Sequence, residues 1–436
     1  MTTEQQADSP ATSAVVESPA ATVDPALIDA NTANSFGEYL RAWAKRIRGG
    51  DTGNLPVIAG LILIVIVFET QNGNFLTARN FATLMTQASY FVLFGMAEIF
   101  VLLLGEIDLS AGYVAASSAA ITLILAGQQH NLPWYVSAVA GLAFATVAGG
   151  LQGLIITRLR VPSFVVTLGG LLLFEGVLLF VLQRFAGSQS GGTVAIINSI
   201  LTDLDNGNLT PTAGWIVMLA AIAGYAVFTI LRDRRRRTSG LVAPPMGLSA
   251  LKIAGVTVVG VAVVAVCNLN RGRTVAIRGV PVCVFLVLGI VMLATFVLNR
   301  TRFGRYIYAV GGNAEAARRA GINVNRIRLM CFTLSAFTAG IAGLFYASYI
   351  DSISTSVDGG NLVLFAVAAA VIGGTSLFGG RGKMVHALLG GLVIAIIYNG
   401  MGLLGLQADA QDAVTALVLV AAATVDAVTR RGTKTA

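Results

Sequence analysis

Charge is scarce in this chain. Only 11% of its 436 residues are Asp, Glu, Lys or Arg, about half the share of an ordinary soluble domain. Histidine occurs twice and cysteine three times, too little for a metal centre built on those residues. Cys267, Cys283 and Cys331 fall in or beside apolar stretches, with no CxxC and no metal spacing, so they read as small core side chains. No GxxxxGK[ST] occurs, since GGRGKM at Gly379–Met384 lacks both the first glycine spacing and the Ser/Thr. Without a phosphate-cradling loop, the chain is not expected to hydrolyse ATP. No Ser/His/Asp set stands out, so an enzyme reading, a membrane-embedded one included, has no clustered groups behind it. Residues 1–35 contain no Lys or Arg but carry Glu4, Asp8, Glu17, Asp24 and Asp29 among Ala, Ser, Thr and Pro. That composition buries nothing and predicts a disordered cytoplasmic tail, without the basic start and apolar core of a signal peptide.

Apolar sequence is what the chain has instead, 56% of it. Apolar runs recur at about 55–70, 82–104, 110–127, 133–157, 162–183, 212–231, 249–268, 279–299, 329–350, 361–378, 384–405 and 411–429. Each is long enough, or nearly so, to cross a hydrocarbon layer about 30 Å thick. The expected fold is all-α, a polytopic transmembrane bundle of about twelve spans occupying 55–430. GEIDLS at Gly105–Ser110 is too brief and too polar for an ordinary loop, which predicts a broken or re-entrant helix near 104–110. Ahead of the spans, residues 36–50 place Phe36, Tyr39, Leu40, Trp43 and Ile47 at helical spacing opposite Arg41, Lys45, Arg46 and Arg48. This reads as an amphipathic interfacial helix on lipid headgroups; a packed cytoplasmic helix is the alternative.

Charge placement tests that topology. With both termini cytoplasmic, only Arg79, Arg184, Arg271, Arg273 and Arg278 of the 29 basic residues fall outside, as the positive-inside rule requires. The net charge of +8 is therefore topological, Arg232–Arg237 is a stop-transfer cluster, and nucleic acid is not expected as a partner. LGEIDLSAG and IGGTSLFGG each follow an apolar helix and precede a Gly-rich one, a weak echo of two related halves of the kind transporters show.

Polar groups inside spans are costly toward lipid and so face the bundle or a cavity. They are Gln87, Glu98, Gln152, Glu175, His386, Asn399 and Asp426, with Glu106 and Asp108 at the break. A sugar needs hydrogen-bond partners for its hydroxyls and an aromatic face for its C–H groups, so the candidate translocation path is Gln87, Phe91, Glu106, Asp108, Phe174 and Asn399. Interhelical bonding is the competing role for each, and Asp108 could serve only to cap a helix through Ser110. The Gly149, Gly150 and Gly153, Gly169 and Gly170, and Gly390 and Gly391 groups permit close helix packing.

One polar stretch interrupts the apolar pattern, VGGNAEAARRAGINVNRIR at Val310–Arg328. Asn313 can cap a helix, Glu315 suits its first turn, Arg318 and Arg319 its last, and Gly321 can stop it. Two turns are too few to be stable alone, so this is either a surface connector or an element that docks on a partner.

GGNAEAARRAGINV, with TRFGRYIYAVGGN before it and VIGGTSLFGGRGKMVHALLGG and YNGMGLLG after it, resembles the sugar-transporting permease family of ATP-binding-cassette importers. GEIDLSAG and VPSFVVTLGG are similar to signatures of the same family, and the resemblance spans about 75 to 430. It implies a cytoplasmic coupling loop at 300–328 whose short helix meets the ATPase, with Gly312, Asn313, Glu315, Ala316, Ala317, Arg318 and Gly321 as its residues. It also implies an inner-membrane permease working as a pair of identical subunits, with a tandem-cassette ATPase and an extracytoplasmic sugar-binding protein. ATP and Mg would be used by that ATPase, and no cofactor would bind this chain. The longer 232–278 region is similar to the xylose branch and favours D-xylose, with ribose, arabinose, galactose or several sugars as alternatives. Glu106 stands where the wider family often has Gly. A gradient-driven secondary sugar transporter remains the rival class.

Overall fold

The computed structural model describes residues 37, 41, 55–186, 191–240, 244–272, 274–407, 410, 411, 413–417, 420 and 424. The expected tail at 1–35, nearly all of the interfacial helix at 36–50 and Asp426 lie outside them. The chain divides into two compact units, a smaller one containing residues 222–257 and a larger one containing 53–221 and the residues from 258 onward.

In chain order the helices are α1 (Leu55–Gln71), α2 (Ala78–Leu102), α3 (Ala111–Ala126), α4 (Trp134–Arg158), α5 (Ser163–Phe185), α6 (Ser199–Asn206), α7 (Pro211–Thr238), α8 (Met246–Cys267), α9 (Val282–Arg300), α10 (Arg302–Gly312), α11 (Ala314–Arg319), α12 (Val324–Ile350), α13 (Gly359–Ile372) and α14 (Met384–Leu403). Two short strands, β1 (Thr193–Ala195) and β2 (Ser352–Ser354), pair antiparallel with Val194 opposite Ile353. The described residues are therefore mostly helical, as the apolar runs require. Among the described residues eight helices, α2, α4, α5, α7, α8, α9, α12 and α14, are long and apolar enough to cross a membrane, while α1, α3 and α13 are shorter apolar helices. The eight cover eight of the twelve expected runs; three more runs form the shorter helices, and the run at 411–429 is only partly described.

The core of the larger unit is α2, which packs on α12, α13 and α14, while α3 lies between α4, α5 and α12. Tyr90, Phe91, Phe94 and Phe100 of α2 are fully buried. Lipid tails are as apolar as leucine, so close packing and internal hydrogen bonds, rather than escape from water, hold such a bundle together. Gly390 shows the packing at its closest: a Cβ there would stand 1.7 Å from the Ala369 carbonyl oxygen. Gly169, expected to serve the same purpose, has nothing within 4 Å. Ile216, Leu219, Val227 and Phe228 of α7 are exposed, the pattern of a helix that faces lipid.

In the smaller unit, the basic run at the end of α7 contains one structured acid. Asp233 is buried, pairs with Arg232 at 3.0 Å and accepts a hydrogen bond from the Ser249 hydroxyl.

Candidate functional site

The polar stretch at Val310–Arg328 folds into more than the one helix its spacing predicts. Thr301 caps α10 by accepting from the Gly304 N–H at 3.2 Å. Asn313 then ends α10 and caps α11, its side chain accepting from the Ala316 N–H at 2.9 Å. Glu315 holds Arg318 at 2.7 Å and Arg319 at 3.3 Å on the helix surface. Gly321, at φ +83°, stops the helix. Its N–H reaches the Arg318 carbonyl and the Ile322 N–H the Ala317 carbonyl, each at 3.0 Å, the paired closure that a left-handed residue makes possible. Asn313, Glu315, Ala316, Arg318 and Arg319 are exposed, as is Gly312, whereas Ala317 is buried. The small side chains thus divide: Ala317 and Ile322 pack inward, and Ala316 stands free.

Behind α11 two loops meet the end of α10 backbone to backbone. The Gly380 N–H donates to the Leu103 carbonyl at 2.9 Å. Gly311 fills the gap between them so closely that a Cβ would stand 1.8 Å from the Leu103 oxygen and 2.8 Å from the Gly380 nitrogen. The Tyr308 hydroxyl donates to the Gly382 carbonyl at 2.7 Å. Leu103 immediately precedes LGEIDLSAG and Gly380 ends IGGTSLFGG, the two segments of the echo read in the sequence, and both touch Gly311, two residues before the α11 cap.

The predicted break near 104–110 is present: helix ends at Leu102 and resumes at Ala111. Asp108 is fully buried and accepts from the Ser110 N–H at 3.0 Å and its hydroxyl at 2.6 Å. Gln152 donates to the same hydroxyl at 2.8 Å. Glu106 pairs with Arg328 near the start of α12 at 2.7 Å, although the Nε–H is not aligned on the oxygen. Burial pushes the Glu106 carboxyl up, while Arg328 and the Ser163 hydroxyl pull it down.

At the other end of α2 lies a cavity of about 540 Å³, within the range of small-molecule sites. Asn74, Asn80, Gln87, Asn399 and Gln411 line it with Arg79, Thr77, Thr83 and Tyr398, and among the described residues no acid lines it. Asn80 and Asn399 exchange hydrogen bonds at 2.7 and 3.0 Å. Gln87 donates to the Tyr349 hydroxyl at 2.8 Å. Phe91 sits next to it, edge-on to Phe365 and to Tyr398 at centroid distances of 5.6 and 5.7 Å.

Of the six candidate path residues, the structure brings together Gln87, Phe91 and Asn399. Glu106 and Asp108 belong to the opposite end of α2, and Phe174 packs edge-on to Phe144 at 6.0 Å, with its carbonyl accepting from Ser117. Asn80 and Tyr398 of the cavity wall and Tyr349, the partner of Gln87, are not picked out by sequence. Asn80 lay just outside the apolar run as bounded, and the tyrosines read as ordinary members of apolar helices.

A bundle of apolar helices with a polar cavity at one end and a braced, exposed helix at the other defines a membrane permease. Residues 80–423 match the family described as the branched-chain amino acid transport system permease component, and the chain belongs to that family. It is 34% identical over 399 residues to the xylose transport system permease protein XylH of Escherichia coli strain K12, covering 88% of this chain and 95% of that one. It is 32% identical to the XylH of Haemophilus influenzae, covering 86% and 96%. It is 31% identical to the ribose import permease protein RbsC of Escherichia coli strain K12, covering 85% and 92%. No solved structure matches.

Proposed function

We propose that this chain is the membrane permease of an ATP-driven importer of a pentose, D-xylose before ribose, working as a homodimer with a cytoplasmic ATPase and an extracytoplasmic sugar-binding protein. ATP and Mg belong to the ATPase in this reading, and the chain binds no cofactor. The similarity to xylose and ribose permeases over most of the chain supports the substrate class. The observation that carries the coupling is the placement of α11, which exposes Asn313, Glu315, Ala316 and Arg318 while Gly311 is fitted against both interhelical loops. A push on α11 therefore reaches the ends of α2 and α13 at once. The amides of Asn80, Gln87 and Asn399, which line the cavity beside Arg79, suit a polyol, because each both donates and accepts.

The test is reconstitution of the chain with its ATPase and binding protein in liposomes. Ala316→Trp and Glu315→Arg change exposed positions, so both are expected to keep the wild-type Tm while losing sugar-stimulated ATP hydrolysis. Normal stimulation in both variants would remove the docking role. Uptake driven by a proton or sodium gradient without ATP would replace the mechanism with secondary transport, and competition between labelled xylose and unlabelled ribose ranks the two sugars.

A further inference from the structure

Arg271 is a buried charge that neither the junction nor the amide cavity uses. It lies in the connection between α8 and α9 and is 8% exposed. Of the five N–H donors a guanidinium carries, those on Nη2 reach the Asn208 side-chain oxygen at 2.7 Å and the Gly279 carbonyl at 2.8 Å. Those on Nε and Nη1 have no partner. Among the described residues no carboxylate stands within ion-pair distance of it. A desolvated cation with free donors is costly unless an anion meets it, so the arrangement calls for an occupant.

Arg271 lines a second cavity, about 410 Å³, whose wall includes Arg79 and Thr83, both shared with the amide cavity, together with Thr86 and Asn208 and, among the described residues, no acidic side chain. Arg79 is exposed and its guanidinium has no partner among the described residues. The cavity sits at the Ala78 end of α2, remote from α11. We propose that this cavity is a carboxylate-binding site, with Arg271 as its fixed cation and Arg79 as a mobile second one. The planar donors of Arg271 match a planar oxyanion, and the threonine hydroxyls and Asn208 amide supply neutral partners at the rim.

The experiment is thermal unfolding of the full-length chain in a maltoside detergent, with sodium acetate titrated against sodium chloride at equal ionic strength. Acetate is expected to raise Tm saturably in the wild type, because a ligand that binds the folded state stabilises it, and not to do so in Arg271→Gln. Arg79→Gln should keep its Tm in chloride and bind acetate about tenfold more weakly, the loss of about 1.4 kcal/mol. A parallel arm uses the blocked tripeptide Ala-Glu-Ala: tighter binding than acetate assigns the site to a protein side chain, and equal binding assigns it to a free carboxylate. The proposal is overturned if acetate leaves the wild-type Tm unchanged, if Arg271→Gln responds equally, or if inorganic phosphate binds in preference to acetate. Should Arg271→Gln not fold, Arg79→Gln decides, and an undiminished acetate response there overturns the site.

Discussion

Gly311 and Gly312 are adjacent in sequence, and the structure assigns them opposite sensitivities. At Gly311 an added methyl would lie 1.8 Å from the Leu103 carbonyl oxygen, 2.8 Å from the Gly380 nitrogen and 2.9 Å from the Leu103 carbonyl carbon, where contacts below 3.0 Å are essentially never seen. All three atoms are backbone, so relief requires the loops to part by more than about an ångström. Overpacking of this kind costs about 1–3 kcal/mol, and opening the gap also weakens the Gly380-to-Leu103 hydrogen bond, about 1 kcal/mol more. At Gly312 nothing lies within 4 Å, so Gly312→Ala should fall within about 0.5 kcal/mol of wild type. Gly311→Ala should lower Tm and uncouple, leaving the ATPase its basal rate and removing the sugar-stimulated increment, whereas Gly312→Ala should keep both properties. Equal Tm and equal stimulation in the two variants would refute the idea that α11 is braced through this junction.

Three further outcomes follow from the polar contacts. Replacing Glu106 by Gln leaves Arg328 without its counter-charge, but Arg328 is about one-third exposed and water shares the load, so the cost should be about 1 kcal/mol; a double variant with Arg328→Gln that costs as much as the two singles summed would show that the pair does not interact. Asn399→Leu breaks the exchange with Asn80 and should cost about 0.5–1.5 kcal/mol. The double variant Asn80→Leu/Asn399→Leu should regain stability by leaving neither amide orphaned, yet stay defective in uptake, and restored uptake would reduce the pair to interhelical bonding. Burial holds the Asp205 carboxyl of α6 up at about 7 from 3.8, against hydrogen bonds from Ser89 and Cys283 that lower it. Between those values the folded chain keeps a proton that the unfolded chain has released, so stability should fall by on the order of 4 kcal/mol as pH rises from about 4 to 7 and level off above. Asp205→Asn should flatten that slope in thermal scans across pH, and an unchanged slope would place the titration elsewhere.

The α11 helix was legible because everything that starts and stops it is local: Asn313, Glu315, the two arginines and Gly321 lie within nine residues. The helices were legible from their apolar runs, and the break after Leu102 from one run of polar residues too short to be a loop. What could not be read is what depends on the far side of each contact. Glycine at 311 and glycine at 312 are identical in sequence, and only the approach of Leu103 and Gly380 separates them. Gln87 and Asn399 stand out as polar groups inside spans and Asp108 as one at the break, yet Asp108 accepts from Ser110 through one carboxylate oxygen while the other two reach a cavity. Arg271 was counted among the outside charges without any sign that it is buried, because loop arginines are ordinarily exposed and burial there comes from Asn208 and Gly279 folding over it.

The two ends of the proposed machine share a single rod. Leu103, at the junction, and Gln87, at the cavity, are separated along α2 by about 24 Å at 1.5 Å per residue. Between them Tyr90, Phe91, Phe94 and Met96 are buried to 1% exposure or less, and interiors packed at that density neither compress nor bend readily. In the proposed mechanism a displacement at Leu103 would reach Gln87 as a rigid shift rather than being absorbed on the way. Helices at such interfaces move by about 1–2 Å, which is enough to break a 2.8 Å hydrogen bond. The bonds in the way are Gln87 to Tyr349 on α12 and Asn80 to Asn399 on α14, so the same amides that line the cavity are the ones a sliding α2 would release from their partners and offer to a sugar's hydroxyls. On this view their two roles are successive rather than competing: they bond the helices in one position of the rod and solvate the passenger in the other.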